Sequence, residues 1–165
     1  MPEKQTLAKA REAKREGKAP STQAGKFVEE EMRHIRQGKH GARSTKQAIA
    51  IGLSKARRAG IDLPPPAKGK TSEKARRSAE RAYEAGQERK SHKTSPIRSR
   101  AIKRVLKHEG HRAASHEALS RQATTAARKR SPEERSASAR KGARKRSPEE
   151  RNASARKAAR TRWGS

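Results

Sequence analysis

Large apolar side chains are scarce in this chain, and their scarcity limits the hydrophobic core that it can form. Leu, Ile, Val and Phe together supply 14 of 165 residues, whereas 45 Lys and Arg face 17 Asp and Glu, a formal net charge of +28. Highly charged chains with less than roughly 20% of these four residue types usually stay disordered. A further 29 residues are Ala, which buries little apolar area per residue. We therefore expect a mostly disordered chain that is all-α where ordered, with a small helical hairpin, isolated helices and a basic repeat tail.

The same composition excludes several classes of function. The chain has no Cys, which rules out a disulfide framework, a thiolate nucleophile and Cys-ligated metal sites. Its longest apolar run, Ala48 to Leu53, is far shorter than the roughly 20 residues that span a bilayer, and no signal-peptide core follows the first residues. We expect a cytoplasmic protein without a membrane partner. The surplus of positive charge predicts binding to a polyanion, and DNA and RNA are the abundant intracellular examples.

The apolar pattern divides the chain into five parts. Residues 1–25 carry alternating charge and almost no large apolar residue, which predicts a flexible basic arm. Residues 26–63 predict a helical hairpin, and 64–94 a linker that starts with three Pro and contains an Ala-rich helix. Residues 95–126 predict a helical segment, and 127–165 a basic tail.

The hairpin prediction rests on apolar spacing and on local stop and start signals. Apolar residues recur at i, i+4 and i+7 in the first helix, and Gly38 is placed to end it. Ser44 and Gln47 form the S-x-x-Q pattern of a capping box, and Gly60 fits a left-handed stop after the second helix. The connection of about seven residues is longer than the three or four usual in a helix-turn-helix, so sequence-specific reading of DNA is not favoured. The residues expected to pack the two helices together are Val28, Met32, Ile35, Ile49, Leu53 and Ile61.

The tail contains two copies of a 16-residue repeat. Residues 127–142 and 143–158 are identical at 14 of 16 positions. Each copy has a Ser as N-cap, which is Ser131 in the first copy and Ser147 in the second. A Pro at the first helical position and two Glu in the first turn follow each Ser. Helices of about ten residues without an apolar face are marginal in water. We expect nascent helices that become stable on binding.

Each copy also carries six Lys or Arg against two Glu, which favours contact with phosphate groups. Further basic residues after the hairpin are expected to join them. The candidate nucleic-acid contacts are Arg57, Arg58, Lys68, Lys70, Arg76, Arg77, Arg128, Lys129, Arg130, Arg135, Arg140, Lys141, Arg144, Lys145, Arg146, Arg151, Arg156, Lys157, Arg160 and Arg162.

Catalytic, cofactor and metal sites are not predicted. His108, His111 and His116 lie close together in sequence, but with no Cys nearby they do not form a recognisable metal motif. Catalysis also needs side chains held in place by a packed surrounding shell, which this composition does not favour. We expect no enzyme activity and no small-molecule substrate. The oligomeric state does not follow from the sequence.

Residues 45–56, T-K-Q-A-I-A-I-G-L-S-K-A, resemble the signature R-K-Q-A-I-A-I-A-L-S-E-A of a bacterial family with a domain of unknown function. Longer members, similar over roughly residues 21–127, often carry the name plasmid stabilisation protein, which implies association with DNA. The S-P-E-E-R-x-A-x-A-R-K unit of the tail resembles basic modules appended to other bacterial proteins. Thr45, Gly52 and Lys55 depart from the signature, which implies a looser or more basic hairpin.

Three functions remain open at this point. The leading one is non-specific electrostatic binding of nucleic acid, with DNA favoured over RNA, at the nucleoid or on plasmids. The second is an RNA-binding or ribosome-associated basic protein, because electrostatics alone does not separate the two nucleic acids. The third is a hydrophilic, disordered stress-protection protein.

Overall fold

The computed structural model describes residues 2–88, 95–144 and 146–163, and within these ranges it contains helices and no strand. Backbone contacts divide the chain into two units, residues 1–122 and 123–165. The elements are α1 (Lys4–Arg15), α2 (Pro20–Arg36), α3 (Thr45–Arg58), α4 (Glu73–Gln87), α5 (Pro96–His108), a 3₁₀ turn (Arg112–Ala114), α6 (His116–Arg128), α7 (Pro132–Arg144) and α8 (Pro148–Trp163).

The expectation of a mostly disordered chain is wrong, and alanine explains why. Ten of the fourteen buried apolar residues in the described ranges are Ala. Ala has the highest helix propensity, so forming the helices costs little, and its small side chain lets helix backbones approach closely. A criterion based on Leu, Ile, Val and Phe overlooks both contributions.

The first unit contains two core clusters. Four of the residues expected in the hairpin, Val28, Met32, Ile35 and Ile49, lie in one cluster with the 3₁₀ turn and α6. The other two, Leu53 and Ile61, lie in a second cluster. The first cluster is made of Met32, Ile35, Ala42, Ala48, Ala113 and Ala114, with Val28, Ile49 and Leu119 against it. The second is made of Ala10, Ala24, Phe27, Ala56 and Ile61, with Leu7, Leu53 and Leu63 against it.

The N-terminal segment is a docked helix and not the flexible arm that its charge pattern indicated. Helix α1 buries Thr6, Ala10 and Ala13 and packs against α2. Its fully buried side chains are small, and Leu7 is the large apolar residue that packs beside them. Helix α2 itself begins at Pro20, earlier than the residue 26 expected from its apolar spacing.

The helix ends follow the local signals closely. Gly38 and Gly60 have φ of 72° and 83°, the left-handed conformation that closes α2 and α3. Behind Gly60, the Ile61 N–H donates to the Ala56 carbonyl at 3.2 Å. At the start of α3 the Gln47 N–H donates to Ser44 Oγ at 3.2 Å. The Gln47 side chain, however, accepts from the Arg43 N–H and so completes the cap one residue earlier than expected.

Helices α2 and α3 approach each other most closely at Gly52. A Cβ atom placed there would lie 2.7 Å from the Cα of Val28, closer than packed atoms tolerate. Thr45 is buried, and its hydroxyl donates to the Ala113 carbonyl at 2.7 Å. Thr45 and Gly52 therefore both make close packing contacts in the first unit.

Helices α5, α7 and α8 make few buried contacts. Ile97, Ile102 and Val105, which share the apolar face of α5, are 74%, 60% and 57% exposed. The C-terminal end of α5 is held by the Gly41 N–H, which donates to the Leu106 carbonyl at 2.7 Å. All described side chains of α7 and α8 are exposed, so local interactions stabilise these two helices.

Candidate functional site

The two tail repeats form identical capping boxes in the second unit. The Glu134 N–H donates to Ser131 Oγ at 3.2 Å, and the Ser131 N–H donates back to Glu134 Oε2 at 3.1 Å. The same pair of bonds joins Ser147 and Glu150 at 3.2 and 2.9 Å. A hydrogen bond to Ser131, followed by one to its own backbone N–H, lowers the pKa of Glu133. The caps hold Glu134 and Glu150 at their own helix N-termini, where negative charge is stabilised.

The basic side chains of the tail face solvent. Twelve of the candidate contacts are exposed there, and none of the twelve forms an ion pair with a carboxylate within the described part of the tail. Lys145 and the side chain of Arg162 lie outside the described residues. The twelve, called here the tail cations, are Arg128, Lys129, Arg130, Arg135, Arg140, Lys141, Arg144, Arg146, Arg151, Arg156, Lys157 and Arg160.

The candidates in the first unit divide by their surroundings. Arg58, Lys68 and Lys70 are exposed. Arg76 and Arg77 both bind Glu73, with Nη2 and Nε at 2.9 and 3.2 Å from its Oε1. The hydrogen bond from Arg76 is the main cause of the lowered pKa of Glu73. The charge of this pair is therefore partly neutralised within its own helix.

Arg57 is not part of the basic surface. It is 6% exposed, and its guanidinium donates to the carbonyls of Leu63 and Pro64 at 2.9 and 3.3 Å. Burial lowers its pKa. We remove Arg57 from the set proposed to contact phosphate, because its donors tie the end of α3 to the Pro-rich segment.

A cluster of charged residues is buried where α1, α2 and α3 meet. Glu30 and Glu31, adjacent on α2, are each 1% exposed. Lys55 Nζ of α3 lies 2.5 Å from Glu31 Oε2 and 3.7 Å from Glu30 Oε1. Glu30 Oε2 accepts from the Glu3 N–H at 3.2 Å. Buried carboxylates are costly unless paired, and here Lys55 is the shared counterion.

Glu3 anchors the start of α1 to the same cluster. Its Oε1 lies 2.7 Å from His34 Nε2 and 3.2 Å from Lys39 Nζ, and its Oε2 binds Arg33. The hydrogen bonds with His34 and then Lys39 lower the pKa of Glu3 to about 2. One carboxylate thus ties α1 to the end of α2.

The sequence reasoning missed this buried charge cluster. A signal was present, since Glu31 and His34 stand at i and i+3 on a helix and therefore share a face. That pattern also occurs on exposed helices, and the burial of Glu31 depends on α3, whose residues lie far along the chain.

An apolar groove of about 300 Å³ lies between α3, α4 and the Pro-rich segment. Ile49, Leu53 and Ala79 contribute to its walls. The described residues that line it include no His, Asp or Glu. The ionisable side chains in its described lining are those of Lys46 and Arg57.

The fold and the exposed tail define an all-α, strongly basic protein. Residues 19–68, which cover α2, α3 and the Pro-rich segment, match DUF6496, a family of unknown function. The segment that resembled such a family lies inside this match, which carries no functional label. A search of curated proteins found no match, and neither did a search of solved structures. Among the helices of the described ranges, none is long and apolar enough to cross a membrane.

Proposed function

We propose that this protein binds nucleic acid non-specifically through charge, with DNA favoured over RNA. The observation that carries the proposal is the division of charge in the tail. Capping boxes hold Glu134 and Glu150 at their own helix ends, while the tail cations are exposed and have no carboxylate partner in the described tail. Such cations are free to replace the counterions condensed around phosphates.

The geometry of α7 and α8 suits contact with a phosphate backbone. At 1.5 Å per residue their 13 and 16 residues extend about 20 and 24 Å, and duplex DNA carries one charge per roughly 1.7 Å of its axis. Arg156 and Lys157 lie in the second half of α8, seven residues or about 10 Å along the helix axis from Glu149 and Glu150 in its first turn. Contacts of this kind position a protein on DNA without reading bases.

The preference for DNA over RNA has a separate basis. The name plasmid stabilisation protein, implied only by the resemblance of residues 45–56, favours DNA and a role at the nucleoid or on plasmids. The disordered stress-protection alternative loses its premise, because the described chain is helical.

The salt dependence of binding tests the proposal. If the tail neutralises about eight phosphates, the logarithm of the affinity for duplex DNA falls with the logarithm of salt concentration with a slope near −7. Fluorescence anisotropy with the full chain and duplexes of two unrelated sequences measures this slope. An affinity that does not change between low and moderate salt would refute the proposal.

A matched pair of double variants tests the role of the tail. Arg156→Gln with Lys157→Gln removes two unpaired charges, and the slope should become shallower by about 2. Arg76→Gln with Arg77→Gln removes the same formal charge, but from side chains already paired with Glu73, and should change the slope less. Equal changes in slope for the two double variants would show that the slope depends on net charge alone and would contradict a specific role of the tail. Competition between duplex DNA and structured RNA at equal phosphate concentration then decides the ligand, and a preference for RNA favours the ribosome-associated alternative.

A further inference from the structure

Three potential metal ligands converge inside the buried charge cluster. One nitrogen each of His34 and His40 and one oxygen of Glu31 lie within 4.8 Å of one another. Glu31 and His34 are on one face of α2, and the left-handed turn at Gly38 returns the chain so that His40 reaches the same face. Two imidazoles and one carboxylate form a common protein ligand set for zinc.

Both ring nitrogens of His40 lie close to oxygen atoms. Its Nδ1 lies 3.1 Å from the Gly41 carbonyl, and its Nε2 lies 3.1 Å from Glu31 Oε1. Both ring nitrogens therefore face acceptors. A neutral ring that donates from Nδ1 would direct the Nε2 lone pair at a carboxylate oxygen, which is repulsive unless a metal ion or a proton separates them.

The distance between His40 and Glu31 is also close to that of two ligands on one metal ion. Ligands about 2.0–2.1 Å from zinc at a tetrahedral angle lie about 3.3–3.4 Å apart. The observed 3.1 Å between Nε2 and Oε1 needs only a small adjustment. A hydrogen bond from Nδ1 to a backbone carbonyl is the usual way in which a protein orients a metal-binding His.

His34 has the corresponding outer partner. Its Nε2 lies 2.7 Å from Glu3 Oε1, the carboxylate–histidine pair that commonly supports a zinc ligand. This pairing leaves Nδ1 for the metal. Glu31 is buried, and Lys55 contacts its Oε2, while its Oε1 is directed to His40.

We propose that Glu31, His34 and His40 bind one zinc ion, with water as the fourth ligand. The ion fastens the loop after α2 to the helix and, through Glu3, supports the docking of α1. The site is separate from the tail cations and does not depend on nucleic-acid binding.

Titration of the metal-free, full-length protein with ZnCl₂ by calorimetry tests the proposal. We expect one equivalent to bind with high affinity and the thermal midpoint to rise, because a ligand that binds only the folded state stabilises it. His40→Ala and His34→Ala should each weaken binding by at least about 100-fold, and Glu3→Gln, which changes only the outer partner, by about 10- to 100-fold.

His108→Ala and His116→Ala are the matched controls, because both side chains are exposed and neither belongs to the cluster. They should leave the affinity unchanged. Circular dichroism of each metal-free variant checks that it is folded, and Co²⁺ added to the unmodified protein reports tetrahedral coordination without any substitution. Absence of zinc binding would overturn the proposal and leave the His40–Glu31 contact as a direct contact between the two side chains. Equal losses in all the His variants would overturn it in favour of unspecific surface binding.

Discussion

Gly52→Ala tests the closest contact in the first unit. The added Cβ would lie 2.7 Å from Val28 Cα and 3.0 Å from its nitrogen. These neighbours belong to the α2 backbone, which cannot rotate away as a side chain could. Overpacking of this kind costs about 1–3 kcal/mol, and contact with backbone places the variant near the upper value.

The higher helix propensity of Ala partly offsets the cost of this overpacking. Ala is favoured over Gly within a helix by about 1 kcal/mol, so the net loss of stability for Gly52→Ala is about 2 kcal/mol. Gly25→Ala, in α2, is the matched control because no atom lies within 4 Å of its added Cβ. The control should gain up to about 1 kcal/mol.

Urea unfolding combined with hydrogen exchange of peptides from α2 and α3 measures both variants. The peptide-level measurement is needed because α7 and α8 contribute helical signal without buried contacts. Gly52→Ala at least as stable as Gly25→Ala would refute the close approach of α2 and α3.

Three further predictions concern charge and capping. Because the pKa of Glu3 is depressed to about 2, its contribution to stability is complete above an unfolded value near 4.5 and is lost as the pH falls toward 2; hydrogen exchange of α1 should show this loss, and Glu3→Gln should remove this part of the pH dependence. Lys55→Met leaves two buried carboxylates without their counterion and should cost about 3 kcal/mol in urea unfolding, whereas Lys46→Met, at an exposed site of α3, should change little. Ser147→Ala removes the cap of α8 and should cost about 1 kcal/mol of local helix stability, seen as faster amide exchange in the first turns of α8, and equally fast exchange in the unmodified chain would contradict the capping box.

Helix ends were predictable from the sequence because their signals are local. Ser72, Ser115 and Ser131 each accept a hydrogen bond from a backbone N–H three residues later, and Gly60 ends α3 where its position indicated. These interactions join groups within one helical turn, so residue types alone predict them. The repeat and its two caps were visible for the same reason.

Burial was decided only by the tertiary structure. Ala10 and Ala24 are buried and Ile97 is exposed, although hydrophobicity predicts the reverse, because the close approach of helices rewards small side chains. The residue type of Arg57 predicted a contact with phosphate, but its guanidinium donates to a carbonyl beyond its own helix.

The buried charge cluster shows the same dependence on long-range contact. Glu3 and Glu30 meet across 27 residues, and Glu3 meets His34 across 31. Local sequence signals determined how the helices begin and end, because those interactions join neighbours within a turn. Which charges are buried, and which remain free to meet a polyanion, depended on how α1, α2 and α3 pack, since only packing brings residues so distant in sequence into contact.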